Sequence, residues 1–283
     1  MKYVFFGTPR FAEIVLGRLI DAHMPPIALV SNPDRPVGRK KVVRPPATKQ
    51  RVLQSGNATI DILQPETLDE DFIKRLRALE SDFFVVAAYA KIIPQAVLDI
   101  PRLGTLGVHP SLLPKYRGSS PIQSVILAGD ADTGVTLYRM DAKMDHGPIV
   151  AQISCPAGSG LTKYRDLEAS LAERSAKLLT EIIPMAEKKI AQGVPQDDTA
   201  ATYTKKFGAA DGFIDEADIE AAERGDTERA ERIVRMVNAL NPEPGVWTKE
   251  KDGKRLKVLD AAMEHGSLRI LKVQREGGRP MER

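Results

Sequence analysis

The chain has 283 residues, 42% of them hydrophobic, a net charge of +3 and a single cysteine, Cys155. This length allows two domains. The lone cysteine excludes an intramolecular disulfide and argues against a cysteine-based zinc site, and Cys155 is expected to be a small buried residue. No apolar run is long enough to cross a bilayer and no cleavable leader follows Met1 and Lys2, so a cytoplasmic protein without membrane attachment is expected.

Residues 3–6 form an apolar, β-rich run ending at Gly7; Phe11, Ile14, Val15 and Leu19 follow at helical spacing, and then comes the apolar run 27–30. A strand, helix, strand series predicts a parallel sheet. The first turn, GTPRFA, lacks the GxGxxG pattern of a dinucleotide site, and no phosphate-loop motif is present. Between Asp34 and Arg51 the cations Arg35, Arg39, Lys40, Lys41, Arg44, Lys49 and Arg51 face one acid, Asp34. Such a cluster reads either as a phosphate-tracking surface or as a solvated loop.

The helix expected over 69–79, the apolar run 83–88 and the strand 105–108 continue the alternation. His109 follows that strand directly, at the kind of carboxyl end where open α/β sheets place ligands. Strands are expected over 135–140 and 149–153, bracketing a turn at Asp145, and a long amphipathic helix over 161–188. GVPQDDTAATYT reads as a linker. A helix over Thr227–Leu240, stopped by Asn241 and Pro242, precedes alternating segments near Val246, Leu256 and Leu268, about three strands of a small β-domain. The expected division is a catalytic domain over 1–188, a linker over 189–205 and a C-terminal domain over 206–283.

The most specific pattern is LGTLGVHPSLLPKYRGSSPIQ at 103–123 followed by GVTLYRMDAKMDHG at 134–147. Singly, a histidine at a strand end reads equally as a hydrogen-bonded structural residue, and an MDxG stretch as an ordinary turn. Arg117 and Gly118 read equally as a solvated bend. Together these residues resemble the catalytic core of the folate-dependent formyltransferases, which carry an Asn two residues before a His, an SLLP loop, and a later Asp in a D-x-G turn. His109, the loop Ser111, Leu112, Leu113 and Pro114, and Asp145 with Gly147 match, whereas Gly107 stands in the position of the Asn.

Formyl transfer to an amine needs donors aimed at a developing oxyanion and a group to take the amine's proton. A protonated imidazole suits the first task, and a nearby carboxylate favours that form. The resemblance therefore implies that His109 stabilises the oxyanion while Asp145 holds its charge state and orders a water. The family's Asn donates to the formyl oxygen, and losing one such donor lowers the rate by about 10²- to 10³-fold. Gly107 leaves three accounts open: an altered chain, a natural enzyme in which water or another group supplies the donor, or a folate-binding protein without efficient transfer.

The flanks narrow the acceptor. SNPDRPVGRKKVVRPPATK at 31–49 resembles the insertion loop of the branch acting on methionyl-tRNA, which implies that Arg39, with Lys40 and Lys41, grips the acceptor stem. VVAAYAKIIP at 85–94 resembles the folate-cleft segment, with Ala90 where Gly is usual. This implies a cofactor site of Val86, Ala88, Tyr89, Ala90 and Ile92, with Ser111, Leu112, Leu113, Pro114 and Asp141. The implied fold is an open, mostly parallel Rossmann-like α/β sheet with helices on both faces, followed by a reduced OB-type barrel. The implied reaction transfers a formyl group from 10-formyltetrahydrofolate to initiator Met-tRNA, without a metal and in a monomer. The rivals are a formyltransferase for a nucleotide-linked amino sugar and a folate- or tRNA-binding protein that has lost its chemistry.

Overall fold

The computed structural model describes residues 1–38, 41–250 and 252–283. Strand β1 (Tyr3–Gly7), helix α1 (Arg10–Asp21) and strand β2 (Ala28–Val30) form the expected opening unit, with β1 and β2 parallel. The basic insertion folds in part as a hairpin of β3 (Arg35–Val37) and β4 (Val42–Arg44), before α2 (Ala47–Ser55) and β5 (Asp61–Leu63). Helix α3 (Glu70–Ala78) starts where Asp69 accepts a hydrogen bond from the Phe72 N–H at 3.0 Å. That cap contributes about 1 kcal/mol.

Next come β6 (Phe83–Ala87), α4 (Gln95–Leu98), β7 (Thr105–His109), β8 (Arg117–Gly118), α5 (Pro121–Ala128), β9 (Asp132–Arg139) and β10 (Ile149–Pro156). The main sheet runs β10-β9-β7-β6-β1-β2-β5. The five strands from β7 to β5 are parallel, and β9 returns antiparallel to β7. Every residue of β1, β6 and β7 is buried, which is why β1 and β6 read as unbroken apolar runs rather than alternating ones. On one face Phe6 packs with Phe84 and Tyr89, beside Leu63, Leu76 and Val97.

The long helix expected over 161–188 is three pieces: α6 (Tyr164–Ile182), a 3-10 turn over Ile183–Met185, and α7 (Ala186–Ala191). Pro184 lies in the turn, and proline lacks the N–H that a continuing helix would use. The chain goes on through β11 (Tyr203–Thr204), α8 (Glu216–Glu223) and α9 (Thr227–Leu240). It ends in an antiparallel sheet of β12 (Val246–Lys249), β13 (Arg255–Glu264), β14 (Ser267–Arg275) and β15 (Met281–Glu282). That is one strand more than the three expected, the addition being the two-residue β15.

Two compact units share the chain in interleaved segments. One comprises Met1–Arg117, Gly134–Ser154 and Glu168–Thr202 and holds most of the main sheet. The other comprises Gly118–Thr133, Cys155–Leu167 and Tyr203–Arg283. Inside it α9 packs on α5 and β13, and its buried Asn238 donates to the Gly160 carbonyl at 3.0 Å. The β13–β14 hairpin turns at His265 and Gly266, both at positive φ (48° and 83°), as a two-residue turn matched to strand twist requires. Cys155 is buried, as expected.

Candidate active site

His109 is the last residue of β7, so the parallel strands deliver it to the carboxyl edge of the sheet. Side chains two residues apart share a face of a strand, and opposed residues of an antiparallel pair share it too. Gly107 pairs directly with Tyr138 and His109 with Thr136, so these four positions form one patch. Thr136 organises the loop after His109: its hydroxyl donates to the Ser111 carbonyl at 2.7 Å and accepts from the Leu113 N–H at 3.0 Å. Gln152 joins by donating to the Leu113 carbonyl at 2.8 Å, and the Ser111 hydroxyl closes the turn on the Lys115 carbonyl at 2.6 Å.

His109 is buried, and its Nε2 lies 2.8 Å from the Tyr116 carbonyl. A carbonyl only accepts, so Nε2 carries a proton and Nδ1 is the nitrogen at which a second proton comes and goes. Nδ1 faces Asp145 Oδ2 at 3.6 Å. The other oxygen of that carboxylate, Oδ1, accepts from the Tyr138 hydroxyl at 2.7 Å. Burial, with the adjacent Asp145 charge second, pushes the Tyr138 phenol well above its usual range, so it acts as a donor.

Asp145 sits in left-handed backbone, φ 49°, a conformation that persists only when its surroundings hold it. The hold comes from residues 194–198, inside the segment expected as a linker. Gln196 Nε2 donates to the carbonyls of Asp145 and Gly147 at 2.9 and 2.8 Å. Its Oε1 accepts from Arg117 at 2.8 Å. Arg117 is fully buried rather than a solvated bend, and it also donates to Asp198 at 2.8 Å. That bond, ahead of the nearby His146, holds the Asp198 carboxyl below the usual carboxylate range. His146 in turn bonds Asp141 at 2.7 Å and stands 3.4 Å from Asp198. At Gly147 a Cβ would run into the Arg139 carbonyl, so the turn admits only glycine there.

The remaining expected site residues are dispersed around this edge. Val86 is buried in β6, and after the strand Ala88 and Ala90 are exposed and in left-handed backbone, φ 49° and 64°. That geometry explains why glycine suits the Ala90 position. The Tyr89 ring lies in the core against Phe6, with burial pushing its phenol up to about 12, so what it presents at the edge is main chain. Ile92 is almost fully exposed, Leu112 and Pro114 are half-buried, and Leu113 is buried. Lys41 is exposed beside the β3–β4 hairpin; Arg39 and Lys40 lie outside the described residues. Among the described residues no three His, Cys, Asp or Glu side chains converge as metal ligands, and no helix is long and apolar enough to cross a membrane.

Sequence reasoning missed Tyr138, Thr136, Gln196 and the burial of Arg117. The first two carried a signal: alternation along β9, set against β7, puts residues 136 and 138 opposite 109 and 107. The formyl transferase family model matches residues 1–183, and the model of the formyl transferase C-terminal domain matches 227–267. A methionyl-tRNA formyltransferase of Chloroflexus aggregans is 40% identical over 266 residues, covering 93% of this chain and 81% of the relative. One from Methylococcus capsulatus is 37% identical, covering 99% of this chain and 94% of its own. Among solved structures, HypX from Aquifex aeolicus in complex with tetrahydrofolic acid shares the fold, with TM-score 0.67 and 15% identity over all of this chain and 46% of that one.

Proposed function

Because the chain belongs to the methionyl-tRNA formyltransferases, we propose that the His109, Asp145 and Tyr138 cluster at the carboxyl edge of the sheet is where its formyl transfer takes place. The enzyme uses 10-formyltetrahydrofolate as donor and methionyl-tRNA as acceptor. The residues after β6 leave room for a flat donor: Ala88 and Ala90 are exposed, in left-handed backbone and without side-chain bulk. When bound, the folate supplies the formyl carbon.

His109 then offers a proton at Nδ1 to negative charge developing on the formyl oxygen, with the Asp145 carboxylate 3.6 Å from that nitrogen. The Asp145 carboxylate, beside His109, accepts the proton released by the attacking amine, and a proton is returned to the folate nitrogen as its bond to the formyl carbon breaks. Exclusion of water strengthens these interactions, and His109 is only 5% exposed. The observation that carries this reading is the protonated Nε2 locked on the Tyr116 carbonyl, which leaves Nδ1 alone to face the carboxylate. The basic insertion, with Arg39, Lys40 and Lys41, is assigned to the tRNA acceptor end, and the enzyme is assigned to the cytoplasm as a monomer.

The test is formylation of Met-tRNA by the purified chain with 10-formyltetrahydrofolate. Transfer is expected, and His109→Asn is expected to lower kcat/KM by at least about 10²-fold. Transfer to a nucleotide-linked amino sugar, with none to Met-tRNA, would overturn the assignment. Arg39→Ala is expected to raise KM for Met-tRNA while leaving KM for the folate unchanged; equal KM values for tRNA would remove the insertion from the scheme.

A further inference from the structure

Gly107 is a glycine in the middle of a fully buried strand, where glycine weakens the strand and offers nothing to pack. Its position therefore needs a reason. A Cβ built at Gly107 would lie 2.5 Å from Tyr138 Cζ and 2.8 Å from Tyr138 Oη, and closer still to Cε1. The ring thus covers the space that any side chain at 107 would enter, as aromatic residues do across a strand pair from glycine.

We propose that Gly107 and Tyr138 are one reciprocal unit: the absent side chain at 107 admits the Tyr138 ring, and the Tyr138 hydroxyl fixes the Asp145 carboxylate toward His109. Its catalytic meaning rests on the formyl-transfer reading above. Tyr138 is only 4% exposed, and its hydroxyl reaches Asp145 Oδ1 at 2.7 Å while Oδ2 is left facing His109. Pinning one oxygen fixes the rotation of the carboxylate and so the placing of the other. Two neighbouring carboxylates are engaged elsewhere: Asp141 with His146 at 2.7 Å, and Asp198 with Arg117 at 2.8 Å. Tyr138 is accordingly a positioning residue for the reaction, and it takes the space of the polar side chain that Gly107 lacks. It follows that Gly107→Asn alone does not repair the site, because the new side chain meets the ring.

Two experiments test the unit. In a stability cycle, Gly107→Ala is expected to lower Tm by about 5 °C or more in the parent chain and by much less in a Tyr138→Leu background. Equal effects in both backgrounds, or a parent that tolerates Gly107→Asn at full stability, would overturn the fit. For positioning, Tyr138→Phe keeps the ring and removes only the hydroxyl. It is expected to lower kcat about 10- to 100-fold with KM values unchanged. A parental kcat in Tyr138→Phe would overturn the positioning role. A parent that transfers no formyl group to Met-tRNA would sink the functional reading, yet the stability cycle would still decide the fit. A crystal structure of Tyr138→Phe would then decide the positioning: Asp145 displaced from His109 supports it, and Asp145 unmoved overturns it.

Discussion

At the scale of single residues, the buried phenol of Tyr138 has a consequence outside catalysis. Burial first, and the Asp145 charge second, push its ionisation well above the ordinary range of a phenol. In the unfolded chain it titrates near the ordinary value, so above about pH 10 the unfolded state releases a proton that the native state keeps. The stability contributed by Tyr138 is therefore complete below that pH and is lost as the pH rises past it. Tyr3, whose hydroxyl donates to the Met24 carbonyl at 2.6 Å, is pushed in the same direction by burial. Tyr138→Phe is expected to flatten the fall in stability above pH 10, read from urea midpoints across the alkaline range. Parallel curves for parent and variant would show that the phenol ionises freely in the native protein.

At the scale of elements, the site depends on segments that converge from distant parts of the chain. Gln196→Glu separates two functions of one side chain, since it keeps an acceptor for Arg117 but loses the donors to Asp145 and Gly147. Thermal stability is expected to hold within about 1 kcal/mol while kcat falls at least about 10-fold. Gln196→Ala orphans part of a buried guanidinium as well and is expected to cost about 1–3 kcal/mol by chemical denaturation. In contrast, Asp69→Ala removes the α3 cap and should lower stability by about 1 kcal/mol with kcat intact. The strands β1 and β6 were legible because they are buried on both faces and are apolar throughout, and α9 because its amphipathic period ends at Asn241 and Pro242. The eight-residue helices α5 and α8 are too short for a period to stand out. His109 and Asp145 were legible from motif, whereas Gln196 was not. A polar residue that bonds main chain 49 and 51 positions away has no local pattern around it.

At the scale of the whole molecule, a net charge of +3 hides an uneven distribution, with the β3–β4 hairpin exposing Arg35, Lys41 and Arg44. Affinity built on phosphate neutralisation falls steeply with salt. KM for Met-tRNA is therefore expected to climb between about 50 and 200 mM salt; a salt-independent KM would place tRNA recognition outside the basic insertion. The clamp on the Asp145 turn also has a history in the making of the protein. Arg117 and Asp198 stand 81 positions apart, and Gln196 is nearly as far from its arginine. A chain growing from its N-terminus on the ribosome thus carries His109, Asp145 and Arg117 through a long stretch of elongation before Gln196 and Asp198 emerge. The enzyme that prepares chains for initiation becomes competent late in its own synthesis, and a nascent fragment released before residue 198 would be a substrate for quality control rather than a slow catalyst.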